Sequence, residues 1–179
     1  IRPVYRSRST LTTRDGVPYT VVLNSGDVYT HVAARDANGP WTWQWDISGT
    51  EVSASAPVAL MGGAKCANVP HNVQYCDHLA EQTPPLANWG REFITMPLAT
   101  RLNGDLVRVL ASESGTEVAI NGELEVTLSA GHFHDIILTQ PSVITTSAPA
   151  LVAQYAVGSQ YDGIVGDPFM MLVPPAEQY

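Results

Sequence analysis

Apolar and polar residues along this chain alternate with a period of two, and the alternation is broken by turn residues. Glu117-Val118-Ala119-Ile120 is followed by Asn121-Gly122 and then by Leu124-Glu125-Val126-Thr127-Leu128. Asn-Gly between two alternating runs predicts a β-hairpin, because both turn residues must reach positive φ. Gly26 and Gly131 predict similar turns between their flanking strands. Val143-Ile144-Thr145 and Leu151-Val152-Ala153-Gln154-Tyr155 read as further strands. Pro57 and Pro149 are expected at strand starts, where no ladder donor is lost. No segment sustains a 3.6-residue amphipathic period, so helix is expected to be minor. Short strands with frequent turn signals predict an all-β chain built of antiparallel β-sandwich units.

The pattern also repeats. Asp77, Pro84, Pro85 and Trp89 have the spacing of Asp167, Pro174, Pro175 and Tyr179, displaced by 90 residues. Ser55-Ala56-Pro57 recurs as Ser147-Ala148-Pro149, displaced by 92, and Leu23, Gly26 and Val28 match Leu128, Gly131 and Phe133, displaced by 105. The shrinking offset places an insertion of about a dozen residues in the first copy, around Asp36 to Trp45. We therefore expect two tandem repeat units, residues 1–89 and 90–179, the first lacking most of a counterpart to the second unit's lead-in at Trp89–Arg108. That phase predicts a fragment of a longer repetitive protein. The Pro-Pro segments read as stiff extended connections.

Composition narrows the function classes. Hydrophobic residues make up 45% of the chain and charged residues 15%, which excludes a disordered, solvating polymer. A net charge of −8 repels phosphate, so nucleic acid and anionic membrane are poor partners. No run approaches the length of a membrane span, and no membrane insertion is expected. Cys66 and Cys76 enclose a short polar segment without forming a C-x-x-C pair. A local disulfide stapling a loop is the favoured reading and implies an oxidising compartment; two buried free thiols are the alternative.

Candidate binding residues are Trp41, Trp43 and Trp45, which alternation on a strand would place on one face. Such a row suits stacking on sugar rings or insertion into a protein partner, although plugging a core or a seam is the commoner use of strand aromatics. His132 and His134 have a chelating spacing, with His71 and His78 near the cysteines, but solvent-facing histidines are the simpler expectation. Asp77 and Asp167 are expected to be buried at tight turns, accepting backbone donors. No Gly-x-Ser-x-Gly elbow or paired-carboxylate pattern indicates an enzyme, and no metal or cofactor is expected.

Three runs carry a family resemblance: Cys66-Ala67-Asn68-Val69-Pro70, then Cys76 through Pro85, then Trp89-Gly90-Arg91-Glu92-Phe93. They resemble the N-terminal domain of the IgG Fc-binding protein family, as does Gly166 through Tyr179. The resemblance implies a secreted, non-catalytic module of mucus-associated or adhesive proteins. Its partners would be an extracellular protein or glycoprotein, such as a mucin-like or surface ligand or immunoglobulin Fc. A lectin-like module binding glycan through the tryptophans is the alternative. Type D domains often found in such proteins can cleave themselves at Gly-Asp-Pro-His; here the string is Gly166-Asp167-Pro168-Phe169, and self-cleavage is not transferred.

Overall fold

The computed structural model describes residues 6–12, 17–33, 46–163 and 165–179. The chain divides into two compact units, Ile1–Ala59 and Leu60–Tyr179.

In the first unit, β1 (Arg6–Thr12), β2 (Pro18–Asn24) and β3 (Glu51–Ala54) form an antiparallel sheet in the order β2-β1-β3. The turn after β2 follows from its residues. The Asp27 carboxylate accepts the Asn24 amide at 2.8 Å, and Gly26 takes φ +92°. That left-handed conformation carries no steric cost in glycine. Beyond the turn, the Tyr19 hydroxyl lies 2.8 Å from His31 Nδ1 and 3.2 Å from the Tyr29 hydroxyl. The bond to Tyr29 raises the Tyr19 phenol above its usual value.

The second unit is an antiparallel, curled sandwich. Its strands are β4 (Met61–Ala67), β5 (Asp77–Gln82), β6 (Gly90–Thr95), β7 (Asp105–Ala111), β8 (Thr116–Ile120), β9 (Glu123–Leu128), β10 (Phe133–Leu138), β11 (Ser142–Tyr155) and β12 (Met170–Val173). The predicted β8–β9 hairpin forms, with Asn121 at φ 52° and Gly122 at φ 90°. Gly131, like Gly26, turns at positive φ, here 69°, before β10.

The organising element is β11, a 14-residue strand. Its first half pairs with β6 on one edge and β8 on the other; its second half pairs with β12 and β7. The two runs expected as separate strands are therefore one. Pro149 is not at a strand start: it lies inside β11, at the register shift between Thr145 and Ala150. An irregularity is where a residue without an N–H can sit within a sheet, since the ladder is already interrupted there.

This bend lets one strand serve two layers. Phe93, Val107, Val109, Val118, Ile144 and Val152 are almost wholly buried in the main core. Alternation then turns the neighbouring residues of β7, β10, β11 and β12 to the opposite face. There Leu106, Ile137, Tyr155 and Leu172 pack with Val69 and Leu79, the latter from β5. The layer β10-β7-β11-β12 is thus apolar on both faces, and the segment around β4 and β5 covers the second face.

Pro84-Pro85 and Pro174-Pro175 are extended, as expected, but each leads directly into a 3-10 turn, at Leu86–Asn88 and Ala176–Gln178. They are corners within the second unit, and they meet: the Gln178 side-chain amide donates to the Asn88 carbonyl.

Candidate binding surface

Trp41, Trp43 and Trp45 lie outside the described residues. The surface built most firmly from described residues is centred on the loop closed by Cys66 and Cys76. The two sulfurs are bonded, with Cα atoms 5.1 Å apart, and no described cysteine is free. The favoured reading of the cysteine pair holds.

Two backbone contacts dock this loop on the sandwich. The Gly158 amide donates to the Val69 carbonyl at 2.7 Å, and the Gln74 amide donates to Gln160 Oε1 at 2.6 Å. Gly158 sits close under this loop: a Cβ there would lie 3.2 Å from both the Gln74 carbonyl oxygen and Val73 Cγ1, so a side chain would require the loop to give way by a few tenths of an ångström. Beyond Gly158 comes the single helical turn α1 (Ser159–Asp162), ended by Gly163 at φ 67°. The glycine supplies the left-handed C-terminal cap without Cβ strain.

Under α1 lies a buried charge pair. Arg101 Nη1 stands 3.6 Å from Asp162 Oδ2, with side-chain exposures of 9% and 0%. Asp162 Oδ1 accepts the Asn103 amide at 2.9 Å, and Asn103 donates its side-chain amide to the Tyr161 carbonyl. The guanidinium also underlies Gly166, where a Cβ would lie 3.0 Å from Arg101 Nη2. One arginine therefore ties the β6–β7 loop to α1 and to the segment after it. A second buried carboxylate, Asp105, shapes the start of the same loop, accepting the Leu98 amide at 2.6 Å and Gln154 Nε2 at 2.8 Å.

Above this framework is an open depression of about 540 Å³, lined by Tyr75, Ser159, Gln160, Gly163, Gly166 and Asp167 among others. Tyr75 reaches it from the disulfide loop at φ 72°, with its side chain exposed. The lining presents one aromatic ring, amide and hydroxyl groups, exposed Val165 and one carboxylate. That mixture suits a polar, shallow contact with another macromolecule.

The histidines with chelating spacing do not form a site, and the aspartates expected to be buried are not. His134 Nε2 lies 3.0 Å from Glu125 Oε1, bridging β10 and β9, while His132 Nδ1 is 3.2 Å from the Ala130 carbonyl oxygen. Among the described residues no three metal-ligating side chains converge. Asp77 and Asp167 are not buried. Asp77 is partly exposed and accepts the His78 amide, which holds its carboxyl below the usual range. Among the described residues the buried aspartates are Asp105 and Asp162. Sequence reasoning missed Arg101, Asp105, Gln154 and Asp162 as buried framework residues. The available signal was modest: an aspartate following Asn-Gly at the start of an apolar strand.

Fold and surface define a class: a disulfide-stapled antiparallel β module that presents loops on a two-faced sheet. The family model described as IgGFc binding protein matches residues 2–179, and the chain belongs to that family. It is 28% identical over 138 residues to the human IgGFc-binding protein, which covers 75% of this chain but 2% of that relative. No solved structure matches.

Proposed function

We propose that the chain is a non-catalytic, secreted recognition module of a repetitive adhesive or mucus-type protein, binding an extracellular protein or glycoprotein. The observation that carries this reading is the docked disulfide loop, which holds Tyr75 beside Ser159, Gln160 and Asp167 at one depression. Preorganised loops lose little freedom on binding, so modest contacts suffice when a protein displays many copies. The disulfide supports an oxidising, extracellular setting, and no helix among the described residues is long and apolar enough to cross a membrane. The relative's printed name makes immunoglobulin Fc the first protein ligand to try.

The test is a biosensor comparison of the chain over immobilised Fc and mucin-type glycoprotein. Binding that falls at least about tenfold in Tyr75→Ala or Val165→Ser, with unchanged circular dichroism, supports the surface. Binding to neither ligand, or binding indifferent to both substitutions, would reject it.

A second reading rests on the alternating Trp41, Trp43 and Trp45, which the second copy lacks: a lectin-like platform for glycans. Glycan-array binding lost in Trp43→Ala would favour it, and an array without signal would remove it.

A further inference from the structure

We propose that the outer edge of β4 is a docking site for one extended strand, of the kind that β7 provides to β11, supplied by a further repeat of this module. The proposal rests on treating residues 1–89 and 90–179 as copies of one strand order, and strand registers support that treatment. The offsets read from sequence are 92 for the segment leading into β4 and 90 for the segment holding β5. Applied to the β4–β5 ladder, they turn Met61↔Gln82 into Ala153↔Leu172, Gly62↔Glu81 into Gln154↔Met171, and Gly63↔Ala80 into Tyr155↔Met170. All three are pairs of the β11–β12 ladder. The offset of 105 carries Leu23 of β2 onto Leu128 of β9, and its partner Ser7 then falls on Thr116. The same shift of β1 carries Ser9↔Ala54 onto Val118↔Thr146, a pair of the β8–β11 ladder. A one-residue slip in any strand would break these correspondences.

The copies differ in what flanks the central strand. The second half of β11 has β12 on one edge and β7 on the other, and Val152 through Tyr155 are buried there. Among the described residues its counterpart β4 forms a two-stranded sheet with β5 alone. The Thr83 amide donates to the Leu60 carbonyl, so Leu60, Gly62 and Ala64 direct their backbone groups to β5. Met61 and Gly63 then direct theirs outward, because directions alternate along a strand, here as far as the register shift that follows Ala64. Met61 is 63% exposed, and Gly63, Ala64 and Lys65 are exposed as well. An apolar, glycine-bearing edge with unpaired backbone groups is a template for strand addition.

The β11–β7 register specifies the occupant. It pairs Ala153 with Arg108 and Tyr155 with Leu106. Met61 therefore faces the residue equivalent to Arg108, and Gly63 the residue equivalent to Leu106, in an antiparallel strand with β7's alternation of apolar residues. Lys65 at the end of the edge discourages indiscriminate pairing, as charged edge residues do.

The experiment titrates the full chain, isotopically labelled, with a peptide of the sequence Gly104–Ser112 up to about 1 mM, the range of a weak but real contact. Hydrogen exchange at the Met61 and Gly63 amides is expected to be rapid in the free chain. It should slow at least about tenfold on saturation, while core amides are unchanged. A peptide carrying Leu106→Pro should not bind, because the Leu106 equivalent donates to the edge opposite Gly63, and Met61→Pro in the protein should weaken binding at least about tenfold, since proline removes an edge donor but is tolerated at a strand start. No slowing at these amides, equal binding by a scrambled peptide, or peptide bound elsewhere overturns the proposal. Edge amides already protected through self-association of the chain would also overturn it, because the occupant would then be a second copy's own edge. The peptide variant needs no refolding of the protein, and none of these readouts depends on Fc or glycoprotein binding.

Discussion

The Glu177 carboxylate accepts a hydrogen bond from the Arg91 amide at 2.8 Å, joining the second Pro-Pro corner to the strand that follows the first. Gly90, next to it, sits so close to Pro175 that a Cβ would overlap the proline ring. Backbone hydrogen bonds, from its own amide and from Arg91 and Glu92, hold the Glu177 carboxyl below the usual carboxylate range. A carboxyl depressed in the folded state stabilises the fold above its unfolded value and loses that effect as pH falls through the folded value. Acidification below about pH 4 should therefore release the corner. The protection of the Arg91 and Glu92 amides, taken as exchange relative to the intrinsic rate at each pH, should fall in the native chain from pH 6 to about pH 3, and Glu177→Gln should flatten that response.

Arg101→Ala should be strongly destabilising, by about 3 kcal/mol, because it leaves the fully buried Asp162 carboxylate without its cation. Asp162→Asn together with Arg101→Met should recover a large part of the loss. Urea denaturation of the two variants beside the native chain checks the order; equal stability of Arg101→Ala and the native chain would mean the pair contributes nothing.

Changing both Cys66 and Cys76 to serine opens a loop spanning 10 residues of sequence separation. The chain-entropy relation gives a cost of about 2.5–3 kcal/mol. The loosening should be local, so the Gly158 amide, which donates to Val69 within that loop, should lose protection before the β7 amides do.

Neighbouring residues of β6 should behave oppositely. Phe93 is 1% exposed and Ile94 is 61% exposed. Phe93→Ala should cost about 3–5 kcal/mol by cavity formation, and Ile94→Ala should stay within about 0.5 kcal/mol. Thermal and urea unfolding of the pair would show whether the alternation of β6 is as described.

What the residues determined unaided was local. Asn121-Gly122, Gly26 and Gly131 specify their turns because only a few residue types enter positive φ cheaply. Alternation specified strands for the same kind of reason, as did the ten-residue spacing of Cys66 and Cys76 for a loop-closing bond. Tertiary structure decided what required partners from afar. It ran two apolar segments into one bent β11 across Pro149, because each half gains a ladder from a different layer. It buried Asp105 and Asp162 and left Asp77 and Asp167 at the surface, since a carboxylate goes inside only where donors such as the Leu98 and Asn103 amides already point. It also placed the disulfide loop on the second face of the sheet, which no spacing within that loop encodes.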